Sequence, residues 1–379
     1  MERILLKCEY EDKDGVIRIW YDEPTSFRRY DLKFLGYLYD DDNNIIGVHM
    51  YKRDTGNYED SCPAEYFDLF FDDKKYSYPN YYLEEEGPTE WTSHYLGEYN
   101  YSLVKVDFPG VDFIKLNTGA FIPTIGYGTW LINNDVAKEC VSNALKAGYY
   151  HIDSAKAYGN EDNVGNAIKE SNLDRSFIYL TTKVPAERKT VESAKEAIDE
   201  SLELLKTHYI DLMLIHCPMP WNEYRIEGGY RYEKENVEVY KLLEEYYYNG
   251  KIISIGVSNF NIDDLKNILA NCRVKPAVNQ IPVHIGNTNM ELINFCLEND
   301  IQVEAYSPLA HGRILNHPEV IKIAKKYKVS VPQLCIKYTL QLGCISLPKA
   351  SSLEHMKENL KLDFTISYED MEFLKTIKE

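Results

Sequence analysis

Residues 149–168, YYHIDSAKAYGNEDNVGNAI, hold the pattern on which the fold prediction depends. The stretch opens with aromatic and β-branched residues, which predict a short buried strand that ends at Asp153. Tyr158 follows in a polar loop, and Asn160 is placed to cap a helix whose pattern opens at Asn163. A strand, a polar loop and a helix together form the unit that lines active sites in barrel enzymes.

Asp153 and Tyr158 have two interpretations. The carboxylate and the phenol can converge over one pocket, where the tyrosine acts as an acid tuned by a cationic neighbour. Equally, the aspartate can cap a loop while the tyrosine packs. This stretch alone leaves both open.

The length and charge of the chain predict two domains. The chain has 379 residues and a net charge of −18, and residues 1–112 carry 25 acidic but only 12 basic side chains. Such a shift predicts a boundary near Pro109-Gly110. We expect an acidic, Tyr-rich, β-rich accessory domain over residues 1–110 and a second domain over residues 111–379.

Composition also narrows the class of protein. An acidic surface repels phosphates and argues against nucleic acid, and no run approaches the roughly 20 apolar residues of a membrane span. The N-terminus MERILLKCEYEDKD lacks the apolar core of a signal peptide. Eight cysteines without a CxxC pair indicate reduced thiols, so we expect a cytoplasmic protein.

The accessory region reads as a β meander. An Asp14-Gly15 turn joins strands over 3–9 and 16–21, and strands over 32–39 and 45–51 flank the turn DDDNN. Ile45 and Tyr51 replace the glycine and glutamate of a calcium-binding EF-hand loop, so a solvated turn is predicted. One short helix is expected over 62–71.

The tyrosines of residues 53–105 have two explanations. Tyr-rich faces mark some interfaces, and this domain is therefore a candidate for binding a protein partner or for self-association. The alternative, which we favour, is that the aromatic residues form the core of a small β domain.

Strand and helix patterns alternate after a small hairpin over 113–117 and 120–123. Strands are predicted at 125–128, 149–153, 177–182, 210–215, 252–257, 277–280, 302–305 and 345–347, with helices between them, for example at 192–205, 236–248 and 291–298. Eight such units match an α/β fold of the (β/α)8 TIM barrel type. A doubly wound sheet would need a glycine-rich phosphate loop, and Gly126-Tyr127-Gly128 lacks its third glycine.

Polar or ionisable residues end most of the predicted strands, where barrel enzymes place their catalytic groups. They are Asp153, Thr182-Lys183, His216, Ser258-Asn259, Asn279-Gln280, Tyr306-Ser307 and Pro348-Lys349. Packing alone does not explain polar groups at this many strand ends.

Several motifs together resemble the aldo-keto reductase superfamily. They are HIDSAKAYGNEDNVGNAI, LTTKV, DLMLIHCP, ISIGVSNF, AVNQ, VEAYSPLAHG and LPKASSLEHMKENL, and the resemblance covers residues 113–376. It implies reduction of a small-molecule carbonyl substrate with NADPH, or less often NADH. It also implies a catalytic tetrad of Asp153, Tyr158, Lys183 and His216.

Physical chemistry supports these roles. A free tyrosine has a pKa near 10 and is a slow acid at neutral pH. A lysine ammonium close to it should lower that pKa by about 1–3 units, closer to the ideal for an acid. Asp153 would hold Lys183 in place, and His216 would orient the carbonyl oxygen or help relay the proton.

The resemblance further implies a set of cofactor and substrate contacts. The cofactor contacts are Gly128, Thr129, Ser258, Asn259, Gln280, Tyr306, Ser307, Leu309, Lys349, His355, Glu358 and Asn359. Ser258, Asn259 and Gln280 would bind the carboxamide, Tyr306 would stack on the nicotinamide, and Lys349 would meet a 2′-phosphate. Trp130, Cys217 and Trp221, with the loop over 222–234, would bind substrate.

Three positions depart from the family pattern. Cys217 stands where tryptophan is common and should widen the pocket, and Pro282 replaces a glutamate. His355 replaces an arginine that clamps the 2′-phosphate, so we expect weakened discrimination for NADPH, with NADPH still preferred through Lys349.

Two functions from different classes remain. The first is a carbonyl reductase, and the second is a cofactor-sensing regulatory or binding protein that uses the barrel as a scaffold. A metal enzyme is a distant third because His and Cys show no ligand spacing. His284 and His311 are expected to make loop hydrogen bonds.

Overall fold

A computed structural model describes residues 2–11, 17–22, 32–42, 44–52, 65–71, 76–87, 90–108 and 110–378. The chain divides into two compact units. The first comprises residues 1–110 and Asp174–Phe177, and the second comprises residues 111–173 and 178–379. Across the described ranges, no helix is long and apolar enough to cross a membrane.

The first unit contains two antiparallel sheets. Its strands are β1 (Glu2–Glu11), β2 (Ile17–Asp22), β3 (Leu32–Tyr39), β4 (Ile45–Lys52), β5 (Glu65–Phe70), β6 (Tyr76–Gly87) and β7 (Glu90–Asp107). One sheet has the order β2-β1-β7-β6 and the other has the order β3-β4-β5. The four predicted strands are confirmed, but the meander over residues 1–52 is wrong, because β2 and β3 lie in different sheets. Instead β1 pairs with β7, a distant partner that local patterns do not reveal. The Asp14-Gly15 turn lies outside the described residues.

The helix predicted over 62–71 is also wrong. Residues 62–64 lie outside the described residues, and Glu65–Phe70 is a strand paired with β4. Tyr66 and Asp68 are exposed, whereas Phe67 is half-buried and Leu69 is buried, so the segment alternates with the period of a strand. The core of this unit mixes aliphatic and aromatic residues, because Tyr101 packs with Leu6, Val48, Met50, Leu69 and Leu103.

The second unit is a (β/α)8 barrel. Its parallel strands, in spatial and chain order, are β10 (Tyr127–Gly128), β11 (His151–Asp153), β12 (Tyr179–Val184), β13 (Ile210–Ile215), β14 (Ile252–Ser258), β15 (Val278–Pro282), β16 (Gln302–Tyr306) and β17 (Ile345–Leu347). The ring closes where Gly126 donates its N–H to the carbonyl of Ser346 and Ser346 donates to Thr124, both at 2.9 Å. The predicted barrel is confirmed.

Helices surround the strands. They are α1 (Asn134–Ala147), α2 (Glu161–Lys169), α3 (Val191–Leu204), α4 (Glu233–Tyr248), α5 (Ile262–Asn271), α6 (Met290–Glu298), α7 (Pro318–Tyr327), α8 (Val331–Gln341), α9 (Leu353–Asn359) and α10 (Tyr368–Thr376). The three helices predicted as examples match α3, α4 and α6. Their buried faces pack on the outer surface of the strands.

The predicted hairpin closes one end of the barrel. Its strands are β8 (Phe113–Lys115) and β9 (Phe121–Pro123). Leu116 and Ile122 pack against Tyr179 and Val278, which begin their strands. The amino ends of the strands are therefore filled with apolar side chains, and the carboxyl ends remain for chemistry.

Glycine at position 165 lets α2 approach α3 closely. A Cβ built on Gly165 would lie 2.6 Å from the carbonyl oxygen of Leu204 and 2.8 Å from Cα of Leu205. Backbone atoms cannot move aside as a flexible side chain can. Residues 149–168 thus encode a close contact between two helices as well as the end of a strand.

We predict that Gly165→Ala destabilises the barrel by about 1–3 kcal/mol through overpacking, although alanine is the better helix former. Asn166→Ala is the matched control, because it places the same side chain on the same helix at a partly exposed position and should cost less than about 0.5 kcal/mol. Chemical denaturation measures both, and equal stability of the two variants would contradict the close-contact argument.

Candidate active site

A buried ion pair lies at the carboxyl ends of β11 and β12. Lys183 is fully buried and its Nζ donates to Oδ1 of Asp153 at 2.8 Å and to the carbonyl of Ser154 at 2.6 Å. Burial by itself lowers the pKa of Lys183, but the Asp153 carboxylate and the Tyr158 phenol outweigh it and raise the pKa overall. Lys183 is therefore a charged ammonium at neutral pH.

Tyr158 completes the contacts of this ammonium. It ends a short 3₁₀ turn (Lys156–Tyr158), which Gly159 terminates with φ of 68°. Nζ of Lys183 lies 3.4 Å from its hydroxyl and 5.0 Å from the centre of its ring. Gly159 thus ends the turn directly after Tyr158, and the phenol ring of Tyr158 lies against the ammonium of Lys183.

The electrostatics of Tyr158 differ from the sequence expectation. Burial raises the pKa of Tyr158, and the ammonium of Lys183, which lowers it, does not fully offset that effect. The expectation of a net lowering is therefore wrong for the protein without ligands. Lys183 limits the increase, and the phenol keeps its proton at neutral pH.

His216 stands beside the phenol as a neutral ring. Its ring centre lies 5.6 Å from that of Tyr158 and 5.3 Å from that of Trp221, edge-on to both. Burial and the charge of Lys183 lower the pKa of His216 to about 3. Such an imidazole can donate or accept a hydrogen bond at neutral pH, but it is not charged.

Four of the predicted cofactor residues form one hydrogen-bonded group. Nδ2 of Asn259 donates to Oγ of Ser258 at 3.1 Å and to the carbonyl of His216 at 3.0 Å, and Tyr306 donates to Oδ1 of Asn259 at 2.8 Å. Gln280 accepts from Ser258 through its backbone carbonyl, and its Nε2 donates to Asp153 at 2.8 Å. These amide and hydroxyl groups therefore adjoin the ion pair.

Gly128 and Thr129 lie at the end of β10 beside the same strand end. Gly128 pairs with Asp153 and donates its N–H to the carbonyl of Pro348. The Thr129 hydroxyl is buried and donates to the carbonyl of Asp153 at 3.0 Å. The Thr129 hydroxyl is therefore already hydrogen-bonded to the backbone of the protein.

The segment after β16 has an unusual backbone. Ser307, Ala310 and His311 have φ between 50° and 53°, and Leu309 lies half-buried between them. His311 packs edge-on to Trp130, with ring centres 5.2 Å apart. The loops after β10 and β16 thus meet at the barrel mouth.

The remaining predicted cofactor residues lie after β17. Lys349 and His355 are exposed, and the amide N–H of His355 donates to Ser352, which caps α9. Glu358 is half-buried, whereas Asn359 is buried against Tyr149. The predicted adenine contact of Asn359 therefore has little exposed surface available.

The predicted substrate residues separate into two groups. Trp130 and Trp221 are 44% and 43% exposed at the barrel mouth, but Cys217 is fully buried. Its backbone carbonyl accepts a hydrogen bond from Nζ of Lys189, which is itself buried, at 2.7 Å. The Cys217 side chain has no exposed surface, and its predicted role in the substrate pocket stays a prediction.

The loop over 222–234 is fastened to the start of α5. Arg225 donates to the carbonyl of Asn259 at 2.9 Å and to Asp264 at 2.8 Å, and Arg231 also contacts Asp264. This buried aspartate also joins the capping box of α5 with Asn261.

Several polar residues near the tetrad were missed from the sequence. Glu304 lies beneath it, buried, with Oε2 2.9 Å from Nε2 of Gln280. Glu161 is buried and accepts from Thr182 and Ser201. Asn160 occupies the predicted cap position, but its side chain donates to the carbonyls of Thr129 and Ile132 rather than capping α2.

A metal site would need several ligating side chains close together. Within the ranges that the structure describes, no group of three or more His, Cys, Asp or Glu side chains is arranged to hold a metal ion. His284 makes the predicted kind of contact, with Nδ1 2.9 Å from the carbonyl of Ile285.

Comparison with known proteins decides the family. A model of the aldo/keto reductase family matches residues 124–379. The chain belongs to the aldo/keto reductase family. This is a family of oxidoreductases that use nicotinamide cofactors.

Individual relatives in this family align with about 70% of the chain. A glyoxal reductase of Bacillus subtilis is 37% identical over 270 residues, which are 71% of this chain and 93% of the relative. A glycerol 2-dehydrogenase (NADP(+)) of Saccharomyces cerevisiae is 38% identical over 285 residues, covering 70% and 90%.

Solved aldo/keto reductases share the barrel. The enzyme of Brucella melitensis is 40% identical and superposes with a TM-score of 0.65 over 70% of this chain and 98% of its own. A Bombyx mori aldo-keto reductase, solved in complex with NADP, is 30% identical with a TM-score of 0.63, covering 70% and 92%.

Proposed function

We propose that this aldo/keto reductase reduces an aldehyde or ketone to an alcohol with NADPH, with Tyr158 as the general acid. One observation carries the proposal: Nζ of the buried Lys183 contacts both Asp153, at 2.8 Å, and the hydroxyl of Tyr158, at 3.4 Å. A phenol beside a fixed ammonium can lose its proton at lower cost than a buried phenol alone.

Each tetrad residue has a role in this reaction. A bound nicotinamide supplies the hydride that the carbonyl carbon receives. Tyr158 donates its proton to the carbonyl oxygen, and Lys183 stabilises the phenolate that is left. Asp153 keeps the ammonium in position. His216, neutral at working pH, orients the carbonyl oxygen by a hydrogen bond, and its low pKa argues against an imidazolium acid.

The group at the ends of β14, β15 and β16 fits a nicotinamide. A carboxamide has both donors and acceptors, and Ser258, Asn259 and Gln280 offer both. These side chains adjoin Asp153 through Gln280, so a ring held there would adjoin the acid. Tyr306, hydrogen-bonded to Asn259, is placed to stack on that ring.

The proposed substrate is a small carbonyl compound. Relatives that are named for glyoxal and for glycerol act on small, polar molecules. Trp130 and Trp221 at the mouth offer aromatic surface to such a molecule.

The role of residues 1–110 is also a proposal. We infer that they form an accessory domain, because they make one compact unit with a core of their own. A cytoplasmic location follows from the cysteine content alone and stays a prediction.

We predict that Tyr158→Phe lowers kcat for a generic aldehyde by about 100-fold to 10,000-fold, because it removes the general acid. The Kd for NADP+ should stay near that of the wild type. Tyr230→Phe is the control, since Tyr230 is an exposed tyrosine that donates to Glu235. Near-wild-type turnover by Tyr158→Phe, followed as NADPH oxidation, would remove Tyr158 as the acid.

Cofactor preference gives a second prediction. Lys349→Met should reduce the ratio of kcat/KM for NADPH to that for NADH by about tenfold, the loss of one charge-assisted hydrogen bond. His355→Arg should raise the ratio, because arginine binds phosphate with a bidentate fork. Lys357→Met, an exposed change on α9, is the control. A wild-type preference for NADH would contradict the assignment of NADPH.

A further inference from the structure

A buried carboxyl group lies one step beyond the tetrad. Glu304 is on β16, directly opposite Gln280 on β15 in the register of the sheet. Both side chains are buried, at 0% and 2% exposure. Nε2 of Gln280 donates to Oε2 of Glu304 at 2.9 Å and to Oδ1 of Asp153 at 2.8 Å.

These two contacts fix which way the amide of Gln280 faces. An amide nitrogen has two hydrogens, and two carboxyl groups accept them here. If the amide were flipped, its oxygen would face the Asp153 carboxylate, which has no hydrogen to donate, and both hydrogen bonds from Nε2 would be lost. The oxygen of Gln280 therefore points away from both carboxyls and is the atom left to meet a ligand.

We propose that Glu304 is a positioning residue that holds the Gln280 amide with its NH2 group toward Asp153 and its oxygen available to a nicotinamide carboxamide. The proposal rests on the proposed reductase function. It adds a residue that touches neither cofactor nor substrate and acts through Gln280.

The surroundings of Glu304 indicate that it acts as a hydrogen-bonding group rather than as a charge. Burial, followed by the charge of Asp153, raises the pKa of Glu304 to about 8, so the carboxyl is mostly neutral at pH 7. His151 lies on its other side, with Nε2 3.6 Å from Oε1, and is itself neutral because burial lowers its pKa to about 3. Lys183 then has Asp153 as its single ionised partner in this cluster.

A neutral hydrogen-bond acceptor at position 304 should therefore be enough to hold the Gln280 amide. Glu304→Gln keeps an amide oxygen for Gln280 at the same reach and removes the ability to ionise. Glu304→Leu has similar bulk and removes the acceptor, which leaves one N–H of Gln280 without a partner and frees the amide to rotate. Glu244→Leu is the matched control, since Glu244 is a buried carboxyl on α4 that accepts from the amides of Arg273 and Val274.

The experiment measures the Kd for NADP+ at pH 7 by calorimetry on the full chain, with KM for NADPH, kcat and thermal unfolding alongside. We expect Glu304→Leu to raise Kd and KM about tenfold, with a smaller change in kcat. Glu304→Gln should stay within about twofold of the wild type. Glu244→Leu should lower the unfolding temperature and leave Kd unchanged.

Two results would overturn the proposal: a wild-type Kd in Glu304→Leu, or a Kd in Glu304→Gln as weak as in Glu304→Leu. If Glu304→Leu does not fold, Glu304→Asp replaces it, because aspartate keeps the carboxyl but withdraws it by one methylene. A wild-type Kd for Glu304→Asp would then count against the proposal. Failure of the wild-type protein to bind NADP+ would instead reject the proposed function.

Discussion

The buried ammonium of Lys183 is the constraint on which the active-site end of the barrel depends. An ammonium without partners inside a protein is very unfavourable, so its contacts must be supplied by the fold. Three oxygens surround it, from the carboxylate of Asp153, the carbonyl of Ser154 and the phenol of Tyr158. The first two hold the charge in place, and the third belongs to the proposed general acid.

Most of the side chains around this ammonium are carried by the strands of the barrel. Asp153 ends β11, Lys183 lies near the end of β12, and Gln280 and Glu304 face each other on β15 and β16. The barrel holds these side chains at fixed separations because its strands are registered by backbone hydrogen bonds. Asp153 and Lys183 are thus held by rigid strands, whereas Tyr158 lies on the short turn after β11 and loops at the mouth carry Trp130 and Trp221.

Sequence reasoning succeeded where the signal is local. Alternating strand and helix patterns predict the barrel, and polar residues at strand ends mark Asp153, Lys183 and His216, which the structure brings to one end. It failed where the cause is distant in the chain. The pairing of β1 with β7 has no local signature, and the apolar residues over 62–71 are too few to distinguish the strand Glu65–Phe70 from a helix.

Burial explains the remaining differences at the site. The pattern VEAY predicts a strand but does not reveal that Glu304 faces Gln280 inside the barrel. The sequence predicts that Lys183 lowers the pKa of Tyr158, but the larger opposing effect of burial depends on packing that no motif encodes. The inward-facing side chain of Asn160 has the same cause, because its carbonyl partners belong to the loop after β10.

The central claim is that Lys183 serves the reaction through the phenol of Tyr158. A double-mutant cycle on single-turnover hydride transfer tests it most directly, with Lys183→Met, Tyr158→Phe and the double variant compared after each is shown to fold and to bind NADPH. Groups that act as one unit lose activity non-additively, so the account predicts that the double variant is about as slow as Tyr158→Phe alone. Losses that multiply in the double variant would contradict it.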